Sequence, residues 1–478
     1  MHLNGLLVSL ASLTLVKGET VLGVYIFHRH GDRTPKSYAP VNMTSLGAEQ
    51  CFDSGSYYRN RYVASDASTP IFGLSHDIAL PHQMTVTAPV DTNLQNSAQV
   101  FLQGLYPPIG TLSEQTLANG STVEAPLDGY QYIPVNSVAS ASSNANSENN
   151  EWLQGGSGCG KAMVSSNNYF ASKEYHKTLE DTRTFYSDLL PVINRTFTPE
   201  QANFKNGYTI FDLINVATIH NSSIPSSELL TNETLRELQV LANIHEWNLA
   251  YNSTEEIRAV AGSVLAAQVV QQLNATLNGQ SKVPLGVQFG AYASFLSFFG
   301  LAQLPAVSDD FTGIVEYAAS MVFELVTNAT VSEDEYPSSD GVSVRFLFSN
   351  GSAGADDTPT AYPLFGQSEL TLPWADFADE MNKFAIGDTA AWCTACGNTT
   401  GMCADFAPAN AGSDDAGASS TSGNHISNAV AGVIGALVTL VVVLGLEALI
   451  YAVAGFRIVK KSTLAAQAAA GATGERKA

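Results

Sequence analysis

Two histidines and two arginines lie close together near the N-terminus, in the segment FHRHGDRTP at residues 27–35. A neutral imidazole is a competent nucleophile toward phosphorus, and water can then cleave the phosphohistidine that forms. Arg29 and Arg33 flank His30 and offer planar, bidentate donors suited to phosphate oxygens. The residue types therefore indicate phosphoryl transfer, with His30 as nucleophile and the two arginines as phosphate ligands.

Two other interpretations of this cluster are weaker. The segment could be a solvated loop whose charged residues form ion pairs. It could also hold a metal ion, but the neighbouring arginines repel a cation, so we expect neither a metal nor another cofactor. Gly31 lets the backbone approach a ligand closely, and Pro35 stiffens the exit from the turn. Both residues favour a loop with a fixed conformation that binds a ligand.

The cluster follows an apolar run, Val21–Phe27, that predicts a buried strand. Two more strands are predicted at about 84–88 and 285–289, with helices at 93–105 and 292–299 directly after them. In open α/β sheets, ligands bind at the carboxyl ends of the strands. These three strand ends are therefore the expected position of the site.

Helical patterns dominate the middle of the chain, from 167 to 280, and one example is Leu229 to Trp247. A polar stretch at 136–150 predicts a surface loop. We therefore expect an α/β core, interrupted by a helical insertion at about 155–280, within a domain that covers residues 19–404.

The net charge of −22 excludes nucleic-acid binding, because the chain has no basic stripe that could neutralise phosphates. Any phosphate ligand needs a local cationic pocket. The five cysteines (Cys51, Cys159, Cys393, Cys396 and Cys403) favour disulfides in an oxidising compartment, with at least one thiol left over. Their connectivity stays open. The Cys393–Cys396 spacing alone is weak support for zinc.

The two ends of the chain predict a type I membrane protein. Residues 1–18 are typical of a signal peptide, and 429–456 of a single transmembrane helix followed by Arg457, Lys460 and Lys461. Residues 405–428 predict a flexible stalk, and 457–478 a cytoplasmic tail. The domain would then be extracellular or lie in a secretory or vacuolar lumen, as ten glycosylation sequons also indicate: Asn42, Asn119, Asn194, Asn221, Asn232, Asn252, Asn274, Asn328, Asn350 and Asn398.

The sequence RHGDRTP at 29–35, after a hydrophobic strand, resembles the signature of the histidine acid phosphatase branch of the histidine phosphatase superfamily. Weaker similarity recurs at 97–108, 157–182, 295–301 and 344–351. The resemblance implies an α/β fold: a mixed sheet flanked by helices, as in phosphoglycerate mutase, with an α-helical cap. It also implies that His30 is the phosphorylated nucleophile and that Arg29 and Arg33 hold the phosphoryl oxygens.

The chain departs from the family pattern at two places. The arginine usual after the second strand is missing from VTAPVD at 86–91, where Thr87 or a neighbour takes its position. The His-Asp dipeptide at the third strand end, which supplies a phosphate ligand and the general acid, is replaced by Gln288 and Phe289. Gln288 could still donate a neutral hydrogen bond to phosphate, whereas Phe289 cannot donate a proton.

Two aspartates are candidates for a substitute acid. Asp32 is adjacent to the nucleophile, and Asp91 follows the second strand. His76-Asp77 and His245-Glu246 resemble the missing dipeptide, but neither pair follows a matching strand. We interpret both pairs as surface or cap residues.

These features favour an acid phosphomonoesterase that acts on a small phosphate ester through a phosphohistidine. The alternative is a weakened or inactive pseudophosphatase that serves as a membrane-anchored phosphate- or protein-binding glycoprotein. A positioned general acid contributes ~10²–10⁴-fold in rate. Whether another residue takes over this role therefore decides between the two functions. Neither the natural substrate nor the oligomeric state follows from the sequence.

Overall fold

The computed structural model describes residues 18–138, 158–278, 283–332, 336–354 and 357–406. The predicted signal peptide, stalk, membrane span and cytoplasmic tail lie outside these ranges, apart from Gly18, Asp405 and Phe406. Within the described ranges, no helix combines the length and the apolar character that crossing a membrane requires.

Ten strands are described, eight of them in one mixed sheet. In chain order they are β1 (Thr20–Arg29), β2 (Met84–Pro89), β3 (Gln115–Thr116), β4 (Thr122–Val123), β5 (Asn136–Val138), β6 (Leu285–Gly290), β7 (Ser320–Thr327), β8 (Val342–Ser349), β9 (Thr360–Ala361) and β10 (Thr371–Pro373). β3 and β4 pair only with each other. The strands predicted at 84–88 and 285–289 are confirmed.

Some of the described helices pack against the two faces of this sheet, and others form a separate cluster in the middle of the sequence. In chain order they are α1 (Ser45–Tyr58), α2 (Thr92–Leu105), α3 (Pro126–Gly129), α4 (Gly160–Phe170), α5 (Lys173–Asp181), α6 (Arg183–Asp188), α7 (Leu190–Ile193), α8 (Gly207–His220), α9 (Asn232–Ala250), α10 (Val260–Leu277), α11 (Tyr292–Leu301), α12 (Trp374–Asn382) and α13 (Thr389–Cys396). We call residues 158–250, which contain α4 to α9, the cap.

The sheet has the order β10-β8-β7-β1-β6-β2-β5, with β9 beside β8. β1, β6, β2 and β5 are parallel, and β7, β8 and β10 continue the sheet in antiparallel pairs. Nine consecutive residues of β1 are buried because helices cover both faces of the sheet. The α/β class with a mixed, helix-flanked sheet is thus confirmed. The prediction of a loop from residue 136 is wrong for its first three residues, which form β5; residues 139–150 lie outside the described ranges.

Alternation along β1 assigns its side chains to two cores. Tyr25 and Phe27 face a core formed with α10, α11 and α12, whereas Val24 and Ile26 face a core formed with α1 and α2. The cap has an apolar cluster of its own, centred on residues such as Tyr186, Phe204 and Leu238. The cap therefore contributes side chains to the site from an independently packed layer.

The prediction of disulfides is confirmed by two bonds. Cys159 pairs with Cys396, and Cys393 pairs with Cys403. The two cysteines of the Cys-x-x-Cys segment thus have different partners, and both thiols are used in disulfides. Cys51 is free and buried, and burial raises the pKa of its thiol to about 12.

Peptide mapping without reduction is expected to recover one peptide pair that joins the segments around Cys159 and Cys396. Iodoacetamide should label Cys51 only after unfolding, because a buried thiol with a raised pKa contains almost no thiolate. Labelling of Cys51 in the native protein at a rate similar to that of free cysteine would contradict this arrangement.

Candidate active site

Arg29, His30 and Arg33 lie at one edge of the sheet, where the ends of β1 and β6 meet the start of β7. β1 ends at Arg29, directly opposite Gly290 at the end of β6. α11 begins two residues later, at Tyr292. β7 runs antiparallel to β1, so Tyr317, three residues before it, arrives at the same edge. Backbone hydrogen bonds from Ala318 N to His30 O (3.0 Å) and from Arg29 N to Ala319 O (2.8 Å) fix this approach.

The His30 imidazole is only 1% exposed and lies close to its own backbone. Its Nδ1 is 2.9 Å from Gly31 O. A carbonyl oxygen can only accept, so Nδ1 carries the proton and Nε2 carries the lone pair. Burial, then the charges of Arg29, Arg33 and Lys36, hold the pKa of His30 well below its usual 6.5. The ring is therefore neutral, with Nε2 as the nucleophilic nitrogen.

Two glycines hold the nucleophile loop against α1. A Cβ on Gly31 would lie 2.2 Å from Gly47 O, and one on Gly47 would lie 2.1 Å from Asp32 O. Backbone atoms cannot move aside as a flexible side chain can, so both positions require glycine. Gly31 N donates to Ser97 Oγ on α2 at 3.2 Å. The loop that carries His30 is thereby fixed by two helices.

The Arg29 guanidinium is buried among aromatic rings. Its Cζ lies 4.6 Å from the centroid of Tyr317 and 5.5 Å from that of Tyr292, and Nη1 donates to Val315 O. Its Nε has no hydrogen-bond partner among the described residues. A buried, incompletely satisfied guanidinium beside a neutral imidazole is suited to an anion.

The Arg33 guanidinium is fully buried and paired with the cap. Its Nη2 lies 2.9 Å from Asp212 Oδ1 and donates to Tyr208 Oη at 3.2 Å, both on α8. The other oxygen of Asp212 accepts the backbone N–H of Lys36 at 2.8 Å. The cap is thus joined to the nucleophile loop through a buried charge pair.

Lys36 adds a third cation that the sequence interpretation omitted. Its Nζ lies 5.6 Å from the Tyr208 centroid and 5.8 Å from the Tyr292 centroid. Its charge also contributes to the lowered pKa of His30. Its position directly after the RHGDRTP signature was the signal that could have identified it.

Two predicted site residues have structural partners in this conformation. Asp32 is buried, and its Oδ2 accepts from Thr44 Oγ1 and contacts His220 Nε2 at 2.5 Å. The Asp91 carboxylate accepts from Leu94 N at 3.0 Å and caps α2. Their assignment as substitute acids stays a prediction.

The third strand end contains no acid among its described residues. Gln288 faces a groove against α10, where its Oε1 accepts from Tyr25 Oη and its Nε2 has no partner among the described residues. Phe289 packs against His28 and Phe101, with ring centroids 5.1 and 5.6 Å away. Gln288 as a phosphate ligand stays a prediction, and its side chain has no described contact with the arginines.

The remaining space at the site is small in this conformation. A cavity of about 20 Å³ borders Arg29, Asp212 and Tyr317, which is room for roughly one water. Burial raises the pKa of Tyr317 and Tyr292 well above the usual value, so both hydroxyls are protonated. In this conformation the cavity beside Arg29 is too small for a phosphate ester.

The sequons are compatible with a glycosylated surface. Seven of the ten asparagines are exposed: Asn42, Asn119, Asn194, Asn221, Asn232, Asn328 and Asn350. Three are half-buried: Asn252, Asn274 and Asn398. The amide of Asn398 also bonds to the backbone of Gly158 and Gly160.

Comparison with known proteins gives a family match and several structural neighbours. The model of the histidine phosphatase superfamily (branch 2) matches residues 40–349. A phytase from Citrobacter braakii superposes with a TM-score of 0.52 at 14% identity, covering 80% of this chain and 100% of that one. A Hafnia alvei phytase in complex with myo-inositol hexakis sulphate gives 0.51 at 14% identity, over 79% and 98%. A search of curated proteins found no match.

At this level of identity the superpositions concern the fold alone, and they agree with the mixed sheet and flanking helices described above. The family match spans well over half of the chain. The chain belongs to the histidine phosphatase superfamily, branch 2.

Proposed function

We propose that the protein is an acid phosphomonoesterase that transfers the phosphoryl group of a small ester to His30. The observation that carries this proposal is the state of the His30 ring. Its Nδ1 proton is directed to Gly31 O, and the ring is buried and neutral beside two arginines. This arrangement presents the lone pair of Nε2 toward an electrophile.

In the first step, Nε2 attacks phosphorus, the bond from phosphorus to the ester oxygen breaks, and the leaving oxygen takes a proton. In the second step, water attacks the phosphohistidine and releases phosphate. Arg29 and Arg33 supply fixed positive charge to the equatorial oxygens, where the charge of the transition state is spread. Phosphoryl transfer depends largely on such positioning and charge.

The acid range follows from the sign of the pKa shift. An imidazole with an ordinary pKa of 6.5 is protonated, and non-nucleophilic, at pH 5. The pKa of His30 lies well below that value, so its nucleophilic form persists as the pH falls to its own lower pKa. We therefore expect activity to continue at pH values at which a histidine with an ordinary pKa would be protonated and unable to attack phosphorus.

A second candidate, phosphate binding without turnover, is favoured by the third strand end, where Gln288 and Phe289 supply no acid. In that case the nucleophile loop binds phosphate, or the domain binds a protein, without catalysis. For either function, we propose that a single C-terminal span anchors the domain on the extracellular or lumenal side of a membrane.

The test uses the purified full-length protein with p-nitrophenyl phosphate and glycerol 2-phosphate between pH 3 and 7. We expect phosphate release from both esters, with activity retained at pH 5. If the folded protein hydrolyses neither, the enzyme proposal is wrong. A rise in melting temperature with inorganic phosphate would then support the binding function, because a ligand that binds only the native state stabilises it.

A further inference from the structure

The proposed reaction needs a proton donor opposite His30, and the third strand end does not supply one. Gln288 and Phe289 pack into the two faces of the sheet, away from the arginines. The side chain that faces Arg29 from this strand end is instead Tyr292, the first residue of α11. The hydroxyl group of Tyr292 donates a hydrogen bond to a carboxylate of the cap.

That carboxylate is Glu246, on α9. Its side chain is 14% exposed, Oε2 accepts from Tyr292 Oη at 2.7 Å, and Oε1 contacts His245 Nδ1 at 2.7 Å. His245 is itself buried. The pair that we interpreted from sequence as surface or cap residues therefore lies on the cap but is directed inward. Both oxygens of Glu246 are held in place at the start of α11.

Two tyrosines lie between Glu246 and the arginines of the nucleophile loop. The rings of Tyr292 and Tyr208 pack against each other, with centroids 5.0 Å apart. Tyr208 Oη accepts from Arg33 Nη2 at 3.2 Å. The Lys36 ammonium lies over both rings. Glu246 thus bonds to a tyrosine whose ring lies 5.5 Å from the Arg29 guanidinium.

Other carboxylates near the nucleophile loop are committed to structural bonds. Asp212 is shared by Arg33 and the backbone of Lys36. Asp32 bonds to Thr44 and His220 through Oδ2, whereas its buried Oδ1 has no hydrogen-bond partner among the described residues. Asp91 caps α2. Glu246 differs because the hydroxyl that contacts it belongs to Tyr292, whose ring also lies beside Arg29. A hydroxyl group can both accept and donate a proton.

We propose that Glu246, acting through Tyr292, supplies the proton to the leaving group; this inference rests on the proposed function. As Nε2 of His30 bonds to phosphorus and the ester bond breaks, the Tyr292 hydroxyl gives its proton to the leaving oxygen. The relay requires the protonated form of Glu246, in which Oε2 donates to Tyr292 Oη instead of accepting from it as in this structure. Tyr292 takes that proton, and Glu246 becomes a carboxylate. When water attacks the phosphohistidine, its proton returns by the same route and Glu246 is restored.

The test compares Glu246→Gln with Glu237→Gln, an exposed glutamate on the same helix. A general acid contributes ~10²–10⁴-fold, and the contribution is smallest when the leaving group is stable without a proton. Glu246→Gln should therefore lower kcat/KM for glycerol 2-phosphate by about 10²-fold or more, and for p-nitrophenyl phosphate by less than about 10-fold. Glu237→Gln should leave kcat/KM unchanged for both esters. Tyr292→Phe should repeat the pattern of Glu246→Gln.

A purely structural role of Glu246 would lower the rates for both esters equally, and that outcome, or no change in either, overturns the inference. If Glu246→Gln does not fold, as judged by circular dichroism, Tyr292→Phe decides by the same ratio. An active wild-type protein with an unchanged ester ratio in the variants refutes only the Glu246 relay. An inactive wild-type protein refutes the proposed function, and the relay with it.

Discussion

Replacing His30 by alanine is expected to abolish phosphate release from both esters, with a loss on the order of 10⁴-fold or more. The variant removes the nitrogen that attacks phosphorus, while the arginines and the cap remain. An acid-labile phosphoryl label, formed on the wild-type protein during turnover, should be absent from the variant. Initial rates and label incorporation check both expectations.

His28 shows why the loss should be specific to His30. Its ring is also buried, and burial lowers the pKa of His28 to about 4. However, Nδ1 bonds to Arg29 O at 2.6 Å and Nε2 bonds to Ser54 Oγ at 2.8 Å, so both nitrogens are occupied. The matched control is His82→Ala, an exposed histidine that should retain full activity. Turnover or labelling that survives in His30→Ala would exclude His30 as the nucleophile.

Replacing Asp212 by alanine is expected to lower the free energy of unfolding by about 3–5 kcal/mol. Arg33 is fully buried and Asp212 is 3% exposed, so the single substitution leaves an uncompensated charge in the interior. It also removes the acceptor of the Lys36 backbone N–H. Urea unfolding at equilibrium, followed by circular dichroism, measures the change.

The control is Asp181→Ala, which breaks an exposed ion pair with Lys177 in the cap. Such pairs contribute about 0–1 kcal/mol. The double variant Arg33→Met/Asp212→Leu should recover much of the stability, because both charges are removed together. If Asp212→Ala unfolds at the same urea concentration as Asp181→Ala, the Arg33–Asp212 pair does not join the cap to the loop in solution.

Short-range patterns in the sequence were sufficient for the elements that carry the nucleophile. The apolar run before Arg29 predicted a buried strand, and β1 is buried along nearly all its length. Strand-then-helix transitions at β2–α2 and β6–α11 were predicted within a few residues of their observed bounds. Strand alternation and helical periodicity depend on neighbouring residues, so a single sequence contains this information.

The surroundings of the nucleophile could not be predicted in the same way. Tyr317, Asp212 and Glu246 reach the site from segments about 180 to 290 residues away, and no local pattern identifies their partners. His245-Glu246 even resembled the missing dipeptide, but its position on a helix, not after a strand, argued against a role. The packing of α9 against α11 brings this pair to Tyr292, at the start of α11.

The disulfide between Cys159 and Cys396 has a consequence for proteolysis. The two cysteines are 237 residues apart in the sequence, so the disulfide closes a loop that contains the cap from α4 onward. A protease that cleaves the chain once within this loop produces a nicked molecule whose two pieces remain covalently joined. The contacts of Asp212 with Arg33 and of Glu246 with Tyr292 are non-covalent, so we expect them to persist after a cut in a connecting loop of the cap.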